Sequence, residues 1–277
     1  MSLPLPTTDR LERIEALTFA AEYAAAPEAI VTEAGLGSTW LGETLIAWAS
    51  RVDVLMFNRA FCVGLASPAT PGHLAAIAAR FDAEEVPRSF LQLAPDAAPA
   101  ALLEWGARLG YSRHNRWVKF ARPLTDLPPV SGTVRVEAID GDRAPLFGRV
   151  LVEAFRMPPI MERWEAALVG RPGWRHYLAY RDAEPVGCSA LFVAEGLAAL
   201  GHAGTLEAAR GRGVQSAMIA RRLADAAAAG CTHAVVETAE DLPDKPSPSF
   251  RNQLRHGFHL CYFRDNYIRI RGGSSPK

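Results

Sequence analysis

Apolar and polar residues alternate in short blocks along the chain, and these blocks predict two successive sets of helices and strands. In the first half they predict helices at 9–26, 27–33, 71–85 and 98–109, and strands at 53–57, 60–66, 88–93 and 116–122. The strands at 53–57 and 60–66 are expected to form a hairpin, whereas 40–48 is apolar and ambiguous. In the second half the blocks predict strands at 133–139, 174–180, 186–194, 197–206 and 232–238, and helices at 142–155, 160–169 and about 247–255.

The two halves repeat one order of elements: strand, helix, strand, helix, a glycine with an aromatic residue, and a strand. Gly110-Tyr111 in the first half matches Gly257-Phe258 in the second, which is expected to open a last strand pair. The stretch 123–131 holds three prolines and no periodicity, as is typical of a linker. We therefore predict one domain at 1–122, a linker at 123–131 and a second domain at 132–277.

The stretch from Leu197 to Gly230 combines an apolar strand, a turn rich in glycine and arginine, and a helix that Gly230 is expected to end. Apolar or small residues recur at helical spacing, and Arg221, Arg222 and Asp225 are predicted on the opposite, polar face. The residues at that spacing are Ile219, Ala220, Leu223, Ala224 and Ala227.

The turn before this helix suits a phosphate group. The first N–H groups of a helix have no internal partners, its dipole favours anions, and glycine lets a ligand come close. Arg210 and Arg212 add guanidinium groups that match phosphate geometry. The turn is neither a Walker loop nor a Rossmann fingerprint, because no Gly-Lys-Ser/Thr follows and the third glycine is missing.

The run from Thr205 to Gln215, with Asn252 and the Gly257-Phe258 ending, resembles the GNAT superfamily of N-acetyltransferases. That family's acetyl-CoA loop reads Arg/Gln-x-x-Gly-x-Gly/Ala, and Arg210, Gly213 and Gln215 occupy those places, although Gln215 departs from the small residue expected last. The resemblance implies an α/β (α+β mixed sheet) fold with two GNAT-like domains in tandem, each a central, mostly antiparallel sheet flanked by helices. It is specific over 133–270 and rests on order alone over 50–122.

The resemblance also implies direct transfer of an acetyl group from acetyl-CoA to an amine. The strand before the turn is expected to splay from the strand at 232–238, with the pantetheine arm in the gap. Amides near Leu206 and Glu207 are expected to hold the arm or polarise the thioester, those of 210–216 to hold the pyrophosphate, and Asn252 to reach the arm. The expected cofactor-binding residues are Thr205, Leu206, Glu207, Arg210, Gly211, Arg212, Gly213, Val214, Gln215, Ser216 and Asn252.

Transfer needs a base for the amine, and an acid can protonate the departing thiolate. His202 and Glu237 are the candidate bases; the alternatives are a satisfied structural histidine and a carboxylate that faces solvent or pairs with an arginine. Gln253 stands where many family members carry an acidic tyrosine, so Tyr262 or a water is expected to substitute. Glu153 and Arg156 are candidates for the acceptor side.

The first half is predicted to be a degenerate copy that no longer binds the cofactor. Where the second half has its glycine and arginine turn, the first has Ser67-Pro68-Ala69-Thr70-Pro71-Gly72, in which the prolines cannot donate N–H groups and no arginine is present. One acetyl-CoA per chain is therefore expected.

Composition excludes some classes of partner. The 277 residues carry 30 basic and 30 acidic side chains, which argues against nucleic acid or a membrane surface as partner. Four scattered cysteines (Cys62, Cys188, Cys231 and Cys261) indicate buried apolar side chains and no metal site. No signal peptide or spanning segment is recognisable, so a cytoplasmic protein is expected. A tandem chain can supply as a monomer the pairing that single-domain relatives obtain by dimerising, and a monomer or a homodimer is expected.

Two other functions stay open at this stage. One is a non-catalytic acyl-CoA-binding or interaction module, which the missing tyrosine favours. The other is a structural protein whose turn holds no phosphate.

Overall fold

The computed structural model describes residues 3–97, 100–127 and 133–272. The helices in this part of the chain are α1 (Thr8–Ala24), α2 (Glu28–Ala34), α3 (Pro71–Ala83), α4 (Ala100–Arg108), α5 (Ala144–Phe155), α6 (Ile160–Ala166), α7 (Val214–Ala228) and α8 (Pro248–Arg255). The strands are β1 (Leu36–Leu41), β2 (Thr44–Ala49), β3 (Arg59–Phe61), β4 (Arg88–Leu93), β5 (Ser112–Pro123), β6 (Arg135–Ile139), β7 (Trp174–Arg181), β8 (Glu184–Ala194), β9 (Leu197–Thr205), β10 (His233–Ala239) and β11 (His259–Ile270).

Most predicted elements are confirmed to within a few residues, but the hairpin around Asn58-Arg59 is wrong. Leu55–Phe57 forms a 3₁₀ turn, and β3 pairs with β2 and β4 instead. The Asn58 side chain explains the difference: its Oδ1 accepts the Ala49 N–H at 2.7 Å, so the segment is tied to β2.

Three further differences are smaller. The ambiguous stretch at 40–48 is the β1–β2 hairpin. The predicted last strand pair is one strand, β11. Residues 98–99 of the predicted fourth helix and 128–131 of the predicted linker lie outside the described residues.

Contacts divide the chain into two compact units. The N-terminal unit comprises Thr7–Ala24, Glu28–Val118 and Tyr262–Lys277, and the C-terminal unit comprises Met1–Pro6, Ala25–Pro27 and Lys119–Cys261. β5 and β11 each contribute residues to both units.

The N-terminal unit contains the strand order β1-β2-β3-β4-β11. These pairs are antiparallel except β3–β4, and α3 lies between those two strands in the chain. Its apolar core includes Leu74 and Phe81 of α3 packed with Leu91 and Leu102.

A buried ion network, formed by Glu12, Glu15, Arg59 and Arg264, crosses the interior of the N-terminal unit. Arg264 Nη1 lies 2.6 Å from both Glu12 Oε2 and Glu15 Oε2. Arg59 Nη1 lies 3.1 Å from Glu15 Oε1, and its guanidinium stacks 4.1 Å from the Phe19 ring centre. The network therefore joins α1 to β3 and β11.

The C-terminal unit contains the strand order β10-β9-β8-β7-β6. Here too the pairs are antiparallel except one, β9–β10, and α7 lies between those two strands in the chain. Each unit thus has a mostly antiparallel sheet with one parallel pair bridged by a helix, as the repeated order of elements predicts.

Two helices cover opposite faces of the C-terminal sheet. Neighbouring residues of a strand point to opposite faces. On β7, the His176 ring contacts Phe147 of α5 at 4.7 Å, whereas the Tyr177 hydroxyl donates to Asp225 of α7 at 2.8 Å. Among the described helices, none has both the length and the apolar character needed to cross a bilayer.

Candidate active site

The turn between β9 and α7 leaves the start of the helix open. Gly211 and Gly213 have positive φ angles of 73° and 78°, which only glycine adopts without strain. Gly213 is the N-cap residue, and no side chain caps the helix. The first helical hydrogen bond runs from Ala217 N to Gly213 O at 3.0 Å, so the amides of the first turn, Val214 to Ser216, have no acceptor within the helix.

Two amides expected to bind the cofactor are already used. The Leu206 N–H donates to Val186 O at 3.0 Å, and the Arg210 N–H donates to Glu207 O at 3.2 Å. The expectation that these two amides hold ligand is therefore corrected. The amides left for an anion are those of the glycine turn and the first turn of α7.

Charged side chains border the turn. Arg210 and Arg212 are exposed, and Arg210 Nε donates to Thr205 O at 3.4 Å. Glu207 pairs with Arg156 at 2.7 Å, and both side chains are largely exposed. Arg156, expected on the acceptor side, thus lies beside the turn, while Glu153 is exposed on α5.

Helix α8 brings Asn252 to the start of α7. Gln215 Oε1 accepts a hydrogen bond from Asn252 Nδ2, and Gln215 Nε2 donates to Ser249 Oγ at 3.4 Å. Ser247 caps α8 by accepting the Phe250 N–H at 3.3 Å. The residue that departs from the family pattern is therefore hydrogen-bonded to a second predicted cofactor residue.

Strands β9 and β10 pair over only part of their length. The parallel register joins His233 to Leu197, Ala234 to Ala198 and Val235 to Ala199, and it ends there. Beyond this point β9 continues to Thr205 and β10 to Ala239 without pairing with each other. This unpaired stretch matches the expected gap between the two strands.

Glu237 lies on the stretch of β10 that does not pair with β9. Its Oε2 is 3.3 Å from Nζ of Lys119, and its side chain is 17% exposed, whereas that of Lys119 is 1% exposed. The candidate base is therefore a charge-paired carboxylate that retains some access to solvent.

His202 lies in a β-bulge of β9. Cys188 of β8 faces Gly204 and Ala190 faces Gly201, so Ser189 alone lies opposite both His202 and Ala203. His202 has a φ of 49°, an uncommon angle for a residue other than glycine. Bulges of this kind re-aim side chains and amides, often beside active sites.

The His202 ring belongs to a buried polar cluster on the α5 face of the sheet. Its Nε2 is 3.4 Å from Oε2 of Glu165, a carboxylate with 1% of its side chain exposed. Trp174 lies edge-on to the ring at 5.3 Å and stacks on His176 at 5.5 Å. Burial, and secondarily the charge of His202, lowers the pKa of His176 to about 3.

His176 and Trp174 carry buried polar atoms without protein partners. Both ring nitrogens of His176 and the indole Nε1 of Trp174 have no hydrogen-bond partner among the described residues. Ordered water is the usual partner of such groups. Sequence analysis missed this cluster, although Trp174 and His176 stand two apart on a predicted strand, which places them on one face.

A family comparison settles what kind of domain carries this turn. Residues 144–251 match the model of the acetyltransferase (GNAT) family. This segment of the chain belongs to the GNAT acetyltransferase family. Members of the family are acyltransferases, so acyl transfer is the chemistry that the GNAT segment supports.

Solved structures share the fold over nearly the whole chain. A GCN5-related N-acetyltransferase from Kribbella flavida aligns with a TM-score of 0.63 and 20% identity, over 94% of this chain and 96% of that one. Another from Sphaerobacter thermophilus gives 0.61 and 15%, over 98% and 96%. A tandem GNAT protein from the clavulanic acid biosynthesis pathway, solved without AcCoA, gives 0.59 and 15%, over 98% of both chains. No curated protein matches the sequence.

Gln253, which the family resemblance places where many members carry a tyrosine, lies two residues past the matched segment. Gln253 is 3% exposed, and its Oε1 has no partner among the described residues. Tyr262 belongs to the N-terminal unit, where its hydroxyl donates to Glu12 Oε1 at 2.6 Å. Burial and the neighbouring Glu12 raise the pKa of Tyr262 well above its usual range, which makes it a weak proton donor.

The prediction for Arg222, on the helix that follows the turn, is wrong. Sequence periodicity predicts it on the polar face of α7, but it is 2% exposed. The cysteines follow expectation more closely: Cys62, Cys188 and Cys231 are buried thiols and Cys261 is half-buried.

Proposed function

We propose that the protein is an N-acetyltransferase that moves an acetyl group from acetyl-CoA directly to the amine of an acceptor. The observation that carries this proposal is the uncapped start of α7, reached through Gly211 and Gly213 in the left-handed conformation, within a segment of the GNAT family. The N-terminal half is proposed to bind no acetyl-CoA, so that each chain takes one molecule.

In this proposal the pyrophosphate lies on the first turn of α7. The amides of Val214, Gln215 and Ser216 donate to it, the helix dipole stabilises its charge, and the exposed Arg212 adds a guanidinium. The pantetheine arm follows the unpaired stretch between β9 and β10. Asn252, held by Gln215, borders the arm from α8.

The acceptor nitrogen attacks the carbonyl carbon of the thioester, so that a C–N bond forms and the C–S bond breaks. The nitrogen loses one proton, and the sulfur leaves as a thiolate. A simple thiol has a pKa of about 8.5, so the thiolate is a tolerable leaving group near neutral pH and can take its proton from water.

Of the two candidate bases we favour Glu237. It lies on the stretch of β10 that does not pair with β9, and its side chain is 17% exposed, so an ammonium or a relaying water can reach it. The His202 side chain is similarly exposed, at 14%, but its Nε2 lies against Glu165 and its Nδ1 is buried, so a water would have to relay the proton. Tyr262 is the less favoured acid, because its hydroxyl is donated to Glu12.

Calorimetry with acetyl-CoA, compared with CoA and ATP, tests the cofactor site. We expect one acetyl-CoA per chain, and a loss of binding in Gly213→Glu, where a bulky carboxylate meets the phosphates. Gly230→Glu is the matched control, since Gly230 has the same φ of 78° and lies just past the other end of α7.

Each outcome has a distinct meaning. Equal affinity in wild type and Gly213→Glu would refute the phosphate site, and two molecules per chain would refute the assignment of the N-terminal half. One bound acetyl-CoA followed by no turnover in a broad amine screen would leave a non-catalytic acyl-CoA-binding module.

A further inference from the structure

Arg222 is a buried cation with no carboxylate among its contacts in the described part of the chain. All its hydrogen bonds there go to backbone carbonyls: Nε to Met218 O at 3.1 Å, and Nη1 to Ala190 O at 3.1 Å and Gly201 O at 3.2 Å. Burial lowers the pKa of the guanidinium to about 10, so it stays charged at neutral pH.

Packing alone does not explain why an arginine occupies this position. A methionine or leucine would occupy the same position on α7 without burying a charge, and such replacements of buried ions are often neutral or stabilising. The neighbouring Arg221 shows the ordinary arrangement, since it pairs with Asp225 at 3.1 Å and is one-third exposed.

The target of Arg222 is the flank of the bulge. Ala190 and Gly201 form the cross-strand pair at which the register of β8 and β9 shifts. The carbonyl of Gly201 and the N–H of His202 belong to one peptide group. A charged donor on a carbonyl polarises the whole peptide group, so its N–H becomes a stronger donor.

We propose that Arg222 is a positioning residue for acyl transfer, which fixes the bulge of β9 and polarises the Gly201–His202 peptide beside the gap that holds the thioester. This role rests on the proposed acetyltransferase function. Arg222 touches neither the acceptor nor acetyl-CoA and acts through the backbone.

Three variants separate this role from a packing role. Arg222→Met removes the charge, Arg222→Lys keeps a charge with fewer fixed donors, and Arg221→Met is the control on the same helix. Histidine-selective ¹⁵N labelling gives at most seven histidine amides, among which that of His202 reports on the peptide. Thermal melting confirms that each variant is folded.

We expect the His202 amide proton to shift upfield in Arg222→Met, to shift less in Arg222→Lys and to stay in place in Arg221→Met. With an acceptor in hand, kcat should fall about tenfold in Arg222→Met while the acetyl-CoA Kd stays unchanged, a loss smaller than that of a direct oxyanion donor. A folded Arg222→Met with the wild-type amide shift and kcat would overturn the proposal, and Arg222→Lys serves in the same way if the methionine variant does not fold.

The amide shift needs no acceptor and no cofactor, so it keeps the two proposals apart. If the wild-type protein binds no acetyl-CoA, the proposed function is wrong. The catalytic role of Arg222 is then wrong too, whatever the amide shift shows. If wild type is active but neither the shift nor kcat responds to Arg222→Met, only the role of Arg222 fails.

Discussion

Helices α3 and α7 hold equivalent places in the two units, each between the two strands of the parallel pair, but their starts differ in available donors. At α3, Thr70 Oγ1 accepts the His73 N–H at 3.2 Å, and Pro71 has no N–H to give. At α7, Gly213 caps without a side chain, and the amides of the first turn stay open. A repeated topology therefore does not repeat the free N–H groups: the side chains at the N-cap and the first position decide how many donors a helix start leaves for an anion.

The buried arginines of the two units also differ, in the groups that they bond to. In the N-terminal unit Arg59 and Arg264 bond to carboxylates of α1, whereas in the C-terminal unit Arg222 bonds to carbonyls of the bulged strand. The buried charges of the N-terminal unit thus pair with one another. In the C-terminal unit the charge of Arg222 is directed at the strand beside the proposed site.

The largest effect is expected from the N-terminal ion network. Glu15→Gln removes the carboxylate shared by Arg59 and Arg264, and breaking a buried pair in this way costs about 3–5 kcal/mol. Chemical denaturation should show this loss of unfolding free energy. Glu43→Gln, which breaks the exposed pair with Arg13, is the control and should change stability by no more than about 0.5 kcal/mol. Equal effects of the two variants would contradict a stabilising role for the network.

The fold was largely readable from the sequence because its elements are strongly periodic and bounded by glycine and proline. The failures have physical reasons. The hairpin at 53–66 was predicted wrongly because the Asn58 side chain ties this segment to β2, which no periodicity reports. Arg222 was placed on the polar face because a charged residue is rarely buried without a carboxylate.

The site was readable only in part. The glycine turn was predictable because turn chemistry is local, and Asn252, predicted from the family resemblance, lies against Gln215 in the structure. The pairing of Glu237 with Lys119 joins β10 to β5, and that of His202 with Glu165 joins β9 to α6. Contacts between such distant segments need the tertiary fold and leave no local pattern.

The next comparison is between two histidines and their effects on the pH dependence of stability. The ring nitrogens of His176 are buried with no hydrogen-bond partner in the part of the chain that the structure describes, and burial lowers its pKa to about 3; His73 bonds to Thr44, and burial lowers its pKa less. Below about pH 6.5 His176 is protonated in the unfolded chain but not in the folded chain. The free energy of unfolding therefore decreases as the pH is lowered, by up to about 1.4 kcal/mol per pH unit.

His176→Phe should therefore flatten the dependence of unfolding free energy on pH between about 6.5 and 4, with a gain over wild type of about 2 kcal/mol at pH 5 relative to pH 7. His73→Phe should change the slope much less. A slope in His176→Phe that equals the wild-type slope would mean that His176 is protonated in the folded protein.

Glycine-to-alanine changes at the two helix starts are expected to have opposite signs. Gly213→Ala forces a side chain into a φ of 78° and should cost about 1–2 kcal/mol, with weaker acetyl-CoA binding. Gly72→Ala has only Thr70 Oγ1 near the new Cβ, at 3.8 Å, and should stabilise by about 0.5 kcal/mol. Denaturation and calorimetry on both variants check this, and a stabilising Gly213→Ala would contradict the left-handed turn.

The last comparison is between the side-chain caps of two helices, one in each unit, and its expected effect on binding is small. Thr70 caps α3 and Ser247 caps α8, so replacing either with alanine should cost about 1 kcal/mol of stability. Only α8 carries Asn252 to the start of α7, and the pair with Gln215 requires that helix to hold its position. Ser247→Ala should therefore also weaken acetyl-CoA binding by a few fold, as fraying moves Asn252, whereas Thr70→Ala should leave the Kd unchanged. A Kd that rises equally in both variants would mean that general stability controls binding, and that the local order of α8 does not.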